Sequence, residues 1–233
     1  MPTLNQLKKE LRSLGSPEKA KGSARFFKTA KGEYGEGDVF IGVTVPRQRE
    51  VAKKYRDLSL SDIIDLLQSR EHEFRLTALF VMVSQFKKGG LTEQEEIYRI
   101  YISNIKWINN WDLVDSSAPD IVGKYLLNKD PSILFKLARS RLLWDRRVAM
   151  LATFTFIREG KPEIALEIAE ILLHDKHDLI HKAVGWMLRE VGKKYGIKKE
   201  TEFLDKHYRE MPRTMLRYAI EKFPEKLRKH YLG

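Results

Sequence analysis

The chain has 233 residues, enough to bury a substantial core as one large domain or two small ones. It contains no cysteine, which excludes disulfides, thiolate-bound metals, iron–sulfur clusters and cysteine nucleophiles. Lysine and arginine total 43 against 32 acidic residues, a net charge of +11, and this excess favours a polyanionic partner because neutralised phosphates release counterions. The sequence contains no run of eighteen apolar residues, so we expect a soluble, cytoplasmic protein with no membrane partner.

Apolar residues recur at helical spacing along nearly the whole chain, for example at 63–67 and 164–172, which predicts an all-α protein. Capping residues, glycines and prolines predict where helices end and begin. These predicted breaks are Gly15-Ser16-Pro17, Ser59, Gly89-Gly90, Asp130-Pro131, Gly160-Lys161-Pro162 and Met211-Pro212. The connections are short, so we expect neighbouring helices to pack antiparallel.

One segment departs from the helical pattern. Residues 31–46, KGEYGEGDVFIGVTVP, contain four glycines and a β-branched run, which predicts a loop with a short extended piece. The loop carries interleaved acidic residues and no following Gly-Lys-Ser/Thr, which argues against a nucleotide-binding loop. We therefore expect this insert, residues 31–46, to be a mobile connector.

A basic residue followed closely by alanine recurs along the chain at Arg75, Arg147, Lys182 and Arg217. The intervals are 72 (twice 36), 35 and 35 residues, and the missing position, 75 + 36 = 111, is Trp111. A period of about 35 residues with two helices each is typical of HEAT-like repeats. We predict an α-solenoid forming a single curved domain over residues 1–233, with these five residues as a stripe on a basic concave face.

One helical turn beyond two of these positions are Asp115 and Trp186, which should share the same surface. An alternative is ordinary packing between repeats, with the basic residues capping the preceding helix ends, and for Arg75 and Arg217 we prefer that interpretation. In the central repeats, two tryptophans and a carboxylate beside cations favour a functional surface.

Trp111 and Asp115 are four residues apart, so the indole and the carboxylate should project from one helix face. Arg147 is a candidate phosphate clamp, because its planar guanidinium stays charged and matches phosphate oxygens. Arg146 should point about 100° away from it. The alternative is that Asp115 merely pairs with Arg147 and that Trp111 fills core.

Three histidines, His174, His177 and His181, have the spacing of a metal site on a continuous helix. However, His174 and the two residues after it are more typical of a loop and N-cap, and Lys176 would repel a cation. We therefore expect no metal here and no other cofactor.

Three segments, NNWDLVDSSAPDIVG, LWDRRVAML and HKAVGWMLRE, together resemble the AlkD family of DNA alkylation repair glycosylases. The resemblance implies an active site of Trp111, Asp115, Arg147 and Trp186. It also implies excision of cationic alkylpurines, such as 3-methyladenine and 7-methylguanine, from duplex DNA without metal or cofactor. We expect the partner to be double-stranded DNA containing alkylated bases and the protein to be a monomer, with Arg146, Lys182, Arg75 and Arg217 as further DNA contacts.

The resemblance also places Phe27 and Thr44 on the DNA-contacting side, where the family carries an aromatic and polar pair. Here Phe27 lacks a hydroxyl and Thr44 is short. This departure keeps two alternatives open: a binder of branched or damaged DNA with the same fold but no base excision, and a protein-binding scaffold.

Overall fold

The computed structural model describes residues 3–233, and throughout that range the regular structure is helical, with a single isolated bridge between Val39 and Glu71. The all-α prediction is confirmed. The chain divides into two compact units, unit 1 (Met1–Ser117) and unit 2 (Ala118–Gly233). That residues 1–233 form one curved domain stays a prediction.

The α-helices of unit 1 are α1 (Leu4–Ser13), α2 (Pro17–Phe26), α3 (Val45–Lys54), α4 (Leu60–Leu67), α5 (His72–Lys88), α6 (Leu91–Ser103) and α7 (Trp111–Asp115). Those of unit 2 are α8 (Lys124–Leu126), α9 (Ser132–Ala138), α10 (Leu143–Arg158), α11 (Pro162–Ile171), α12 (Asp178–Tyr195), α13 (Ile197–His207), α14 (Arg213–Ala219) and α15 (Glu225–Leu232). Short segments at Ile105–Trp107 and Ile220–Lys222 are 3₁₀-helical, and Pro119–Gly123 is π-helical.

The predicted breaks between helices are confirmed. Ser16 and Ser59 accept backbone hydrogen bonds as the N-caps of α2 and α4, which satisfies donors that a helix start leaves unpaired. Gly160 has a φ of 91°, a left-handed conformation that glycine adopts without steric cost, just before α11 begins at Pro162. The insert is shorter than predicted, because Val45 and Pro46 already belong to α3, where a proline at the second helical position loses no hydrogen bond.

Helix α5 is the centre of unit 1. Its sequence is apolar on nearly every side. The polar residues at its start, His72, Glu73 and Arg75, are buried as well. A helix buried all round is surrounded by other elements, and here α3 and α4 pack along it. The polar start of α5 therefore lies inside unit 1, where each charge needs a partner.

Helices α10 and α12 form the centre of unit 2, and α12 packs against α10 and α14. Gly185 permits the second contact, because a Cβ at this position would lie 2.4 Å from the carbonyl oxygen of Met215. Gly123 lets the π-helical segment approach α10 in the same way, with the Ala152 carbonyl oxygen 2.3 Å from an added Cβ. Close backbone approach at these glycines fixes how the helices of unit 2 pack.

No helix within residues 3–233 is both long enough and apolar enough to span a membrane.

Unit 2 contains one buried acid without a counter-charge in contact. Glu200, in α13, is 1% exposed, and its Oε1 has no hydrogen-bond partner within the described residues. Its other oxygen lies against Gly192, where an added Cβ would be only 1.9 Å away. Burial raises the pKa of Glu200 to about 8, although the nearby charge of Arg189 opposes this shift.

We expect Glu200→Gln to stabilise the protein progressively as pH rises. The folded chain keeps a proton on Glu200 that the unfolded chain releases, so wild type loses stability from the ordinary glutamate pKa up to about 8. Each unit of pKa difference corresponds to about 1.4 kcal/mol. Urea titrations at pH 5 and pH 8.5 measure the effect, and equal differences between variant and wild type at both pH values would contradict it.

Candidate functional site

The four residues predicted to form the active centre divide between the two units: Trp111 and Asp115 lie in unit 1, and Arg147 and Trp186 in unit 2.

Trp111 and Asp115 are the first and last residues of α7, which confirms the prediction that they lie on one helix. Both are half-buried. Asn110 caps the helix, its side-chain oxygen accepting a hydrogen bond from the Trp111 amide at 2.8 Å. A helix of five residues is little more than one turn and is not stable alone, so its position depends on contacts with the rest of unit 1.

A buried charge cluster provides those contacts; it comprises Asp38, His72, Arg75 and Asp112. The Nε2 of His72 lies 2.8 Å from Asp112 of α7, and its Nδ1 lies 2.9 Å from Asp38 of the insert. Arg75 donates to the second oxygen of Asp38 at 2.6 Å. The cluster joins α5, α7 and the insert, and its two basic and two acidic groups balance in charge.

Both nitrogens of His72 face carboxylates, and only the protonated imidazolium can donate to both. Burial opposes the charge of His72, but hydrogen bonds to Asp112 and Asp38 outweigh it and raise the pKa of the imidazole. Burial likewise opposes ionisation of Asp38, but the hydrogen bond from His72 and the charge of Arg75 hold its pKa below the usual value. The cluster is therefore ionised, with His72 as its central cation.

The insert is fixed in place, which corrects the prediction of a mobile connector. The buried carboxylate of Glu73 accepts hydrogen bonds from the backbone amides of Ile41 (3.0 Å), Gly42 (2.8 Å) and Val43 (3.3 Å). Gly42 has a φ of 82°, and an added Cβ would lie 2.1 Å from the Ser16 carbonyl oxygen. The sequence could not show this, because Glu73 lies about thirty residues beyond the amides that it binds.

The Trp111 indole belongs to an aromatic cluster, which comprises Phe26, Phe27, Phe40 and Trp111. The ring of Phe27 stacks on Trp111 with a centroid distance of 5.2 Å and on Phe40 at 5.1 Å. Phe26 contacts the Trp111 ring edge-on at 5.9 Å and is 65% exposed. Of the adjacent phenylalanines, Phe26 is therefore the one with an open ring, whereas Phe27 is half-buried between other rings.

Thr44, the other residue assigned to this side by resemblance, is exposed at the N-cap of α3. It lines a surface depression of about 320 Å³ together with Lys19, Ser23 and Phe26. Its lining combines polar side chains with the exposed ring of Phe26, a combination compatible with contact to nucleic acid.

In unit 2, Arg147 of α10 is 4% exposed, and its Nη1 donates to the carbonyl oxygen of Leu179 at 2.5 Å. Trp186 of α12 is half-buried, with its indole N–H donating to Glu190 at 3.2 Å and its ring tilted against Phe154 at 5.9 Å. Both side chains are held by contacts within unit 2, the Arg147 guanidinium in the interior and the Trp186 indole partly exposed.

Arg75 is only 2% exposed, so we assign it to the interior of unit 1, which corrects its predicted place among the DNA contacts. Its Nη1 donates to the carbonyl oxygens of Ser69 (2.9 Å) and Arg70 (3.2 Å) after the end of α4. The alternative that this basic residue satisfies the end of the preceding helix is thus confirmed for Arg75.

Arg146 makes the same contacts in unit 2. Its Nη1 donates to the carbonyl oxygens of Ser140 (3.0 Å) and Arg141 (2.9 Å), and its Nε donates to Asp175 at 2.6 Å. Both arginines bind carbonyls five and six residues earlier and one acidic side chain. The counterpart of Arg75 is therefore Arg146, and the predicted stripe, which paired Arg75 with Arg147, is out of register by one residue.

The remaining predicted contacts lie on the surface of unit 2. Lys182 is half-buried on α12 and pairs with Asp178 at 2.7 Å, and Arg217 is exposed on α14. These two residues stay candidates for DNA contact.

The three histidines considered as metal ligands have separate structural contacts. His177 caps α12 through Nδ1, which accepts from the Leu179 amide at 3.1 Å, and the Nε2 of His181 lies 2.6 Å from the carbonyl oxygen of Asp175. His174 is exposed beside Glu210. Within residues 3–233 no group of three acidic or histidine side chains is arranged to hold a metal ion.

The chain is similar to DNA alkylation repair proteins in both sequence and fold. The model of the family described as DNA alkylation repair enzyme matches residues 7–223. A predicted DNA alkylation repair enzyme from Enterococcus faecalis is 17% identical with a TM-score of 0.70, covering 91% of this chain and 97% of its own. AlkD2 from Streptococcus mutans is 17% identical with a TM-score of 0.58, covering 96% and 100%. No curated protein matches the chain.

We expect Glu73→Gln to loosen the insert, because a neutral amide oxygen binds three backbone N–H groups more weakly than a carboxylate does. The loss should be about 1–3 kcal/mol of stability. Amide hydrogen exchange should accelerate at residues 41–43. Glu36→Gln, which alters an exposed carboxylate of the same insert, is the control. Unchanged exchange at residues 41–43 in Glu73→Gln would contradict the anchoring role.

Proposed function

We propose that this chain, which belongs to the DNA alkylation repair enzyme family, is a glycosylase that releases cationic alkylpurines such as 3-methyladenine and 7-methylguanine from duplex DNA. The observation that carries the proposal is the pairing of an indole and a carboxylate, Trp111 and Asp115, on one turn of helix held by a buried charge cluster. The net charge of +11 supports a DNA partner. In this proposal the enzyme is a cytoplasmic monomer of the base-excision repair pathway and needs no cofactor.

The proposed reaction needs little acid catalysis. Alkylation at N3 or N7 already places a positive charge on the purine, so the base leaves as a neutral molecule when the bond from C1′ to nitrogen breaks. Positive charge then develops on the sugar, and the carboxylate of Asp115 stabilises it. Water adds to C1′ and loses one proton, which leaves an abasic site.

The other three residues have supporting roles in this proposal. The indole of Trp111 would present its π-face to the cationic sugar. Trp186 is a proposed DNA contact of unit 2. Arg147, also in unit 2, is the proposed partner of a backbone phosphate, because the planar guanidinium matches phosphate oxygens. Phe27, Thr44, Lys182 and Arg217 are the proposed contacts to the rest of the duplex.

A second candidate function is binding of branched or damaged DNA without base release. The observation that favours it is the burial of Arg147, which is 4% exposed and bonded to a backbone carbonyl. Phe27 also favours this function, because it has no hydroxyl and packs between two aromatic rings. Both observations argue against contacts with the substrate, and neither changes the position of Asp115.

The test is release of 7-methylguanine from a duplex containing one such base, measured by chromatography of the free base under single-turnover conditions. We expect release by wild type, and a rate lowered by about 100- to 1,000-fold in Asp115→Asn, because the variant loses the charge that opposes the developing cation. Asp57→Asn, at an exposed carboxylate of unit 1, should behave as wild type.

The outcomes separate the candidates. Tight binding of the modified duplex by wild type without base release would favour the non-catalytic binder. Release at equal rates by wild type and Asp115→Asn would show that Asp115 does not stabilise the transition state.

A further inference from the structure

The His72 side chain is linked to Trp111 by two separate routes, one through Asp112 and one through Phe27. The first is the hydrogen bond from its Nε2 to Asp112, the residue next to Trp111 in α7. The other oxygen of Asp112 accepts a hydrogen bond from the Leu113 amide at 2.9 Å, inside the same helix. The imidazolium therefore holds the first turn of α7, and α7 has hardly more than one turn.

The second route is aromatic. The His72 ring stacks on Phe40 at 4.5 Å and tilts against Phe27 at 5.0 Å, and Phe27 stacks in turn on Trp111 at 5.2 Å. A cationic ring is attracted to the faces of aromatic rings. Phe27 is thus confined between the indole on one side and the rings of His72 and Phe40 on the other.

The His72 side chain is buried, so it is placed to support a reactive group and not to touch substrate. Its partners leave it little freedom, since Asp38 and Arg75 lie in the interior with it at side-chain exposures of 4% and 3%. A side chain held by ionic and stacking contacts in this way fixes the geometry of its neighbours.

We propose that His72 is a positioning residue for the glycosidic reaction, which sets the orientation of Trp111 and Asp115 through its charged hydrogen bond to Asp112 and through the ring of Phe27. This inference rests on the proposed glycosylase function for its rate readout. The claim that His72 orients the indole of Trp111 does not depend on that function. A small displacement of a reactive group slows a reaction strongly while binding of the substrate is little affected.

The experiment compares wild type, His72→Gln and Asp112→Asn, with His174→Gln as the control for an exposed histidine. Asp112→Asn keeps the shape of the side chain and removes the charge that faces His72. Three quantities are measured on each protein. Two are the single-turnover rate of 7-methylguanine release and the Kd for the same duplex. The third is the indole N–H resonance of Trp111, assigned by its absence in Trp111→Phe.

We expect both variants to lower the single-turnover rate by about 10- to 100-fold with Kd unchanged. The Trp111 resonance should shift in both, whereas those of Trp107, Trp144 and Trp186 should not. His174→Gln should match wild type in all readouts. If His72→Gln does not fold, Asp112→Asn decides.

A Trp111 resonance identical to wild type in the folded variants would overturn the proposal, and so would an unchanged rate in an active enzyme. If wild type releases no base, the glycosylase function fails. The Trp111 resonance then still tests whether His72 orients the indole.

Discussion

The imidazolium of His72, shared between the carboxylates of Asp38 and Asp112, is the interaction on which unit 1 depends. It joins the start of α5, the central helix of unit 1, to two pieces of chain with little regular structure of their own: the glycine-rich insert and the single turn of α7. Burying charges costs free energy, but here two cations face two anions. Removing any one of them would leave an unbalanced charge in the interior, which is more costly than the complete cluster.

This arrangement suits the chemistry proposed for the chain. A carboxylate that stabilises a developing cation works best when it is already in position, because no free energy is then needed to reorganise it during the reaction. A one-turn helix is an unstable support for such a group unless its neighbours fix it. The charge cluster and the stack of Phe27 on Trp111 provide that support from inside unit 1.

Helix boundaries could be predicted from the sequence because the signals are local. A serine that caps the next turn, as Ser59 does, or a glycine with positive φ, as Gly160 has, acts within a few residues. The repeat period is also visible in the sequence, but the sequence does not show which arginine of the pair Arg146 and Arg147 is in phase with Arg75. Only the carbonyls that each arginine binds reveal that Arg146 corresponds to Arg75.

The support of the candidate site could not be predicted in the same way. Asp38 and His72 are 34 residues apart, and His72 and Asp112 are 40 apart. No periodicity links such partners, so the sequence alone does not reveal that Glu73 and His72 hold the insert. Likewise, the sequence cannot distinguish the exposed Phe26 from Phe27, since which ring faces inward depends on Phe40 and Trp111.

The central claim is that His72 is a cation within unit 1 at neutral pH, and titration of its imidazole tests this most directly. Nitrogen-15 NMR of the His72 ring across the pH range gives the protonation state, because the two ring nitrogens have similar shifts in the imidazolium and different shifts in neutral imidazole. The account predicts that both nitrogens stay protonated at neutral pH and that the ring titrates above the ordinary histidine pKa. Its stabilising contribution should then be lost as pH rises through that raised value. A His72 ring that titrates at or below the ordinary histidine pKa would contradict the account.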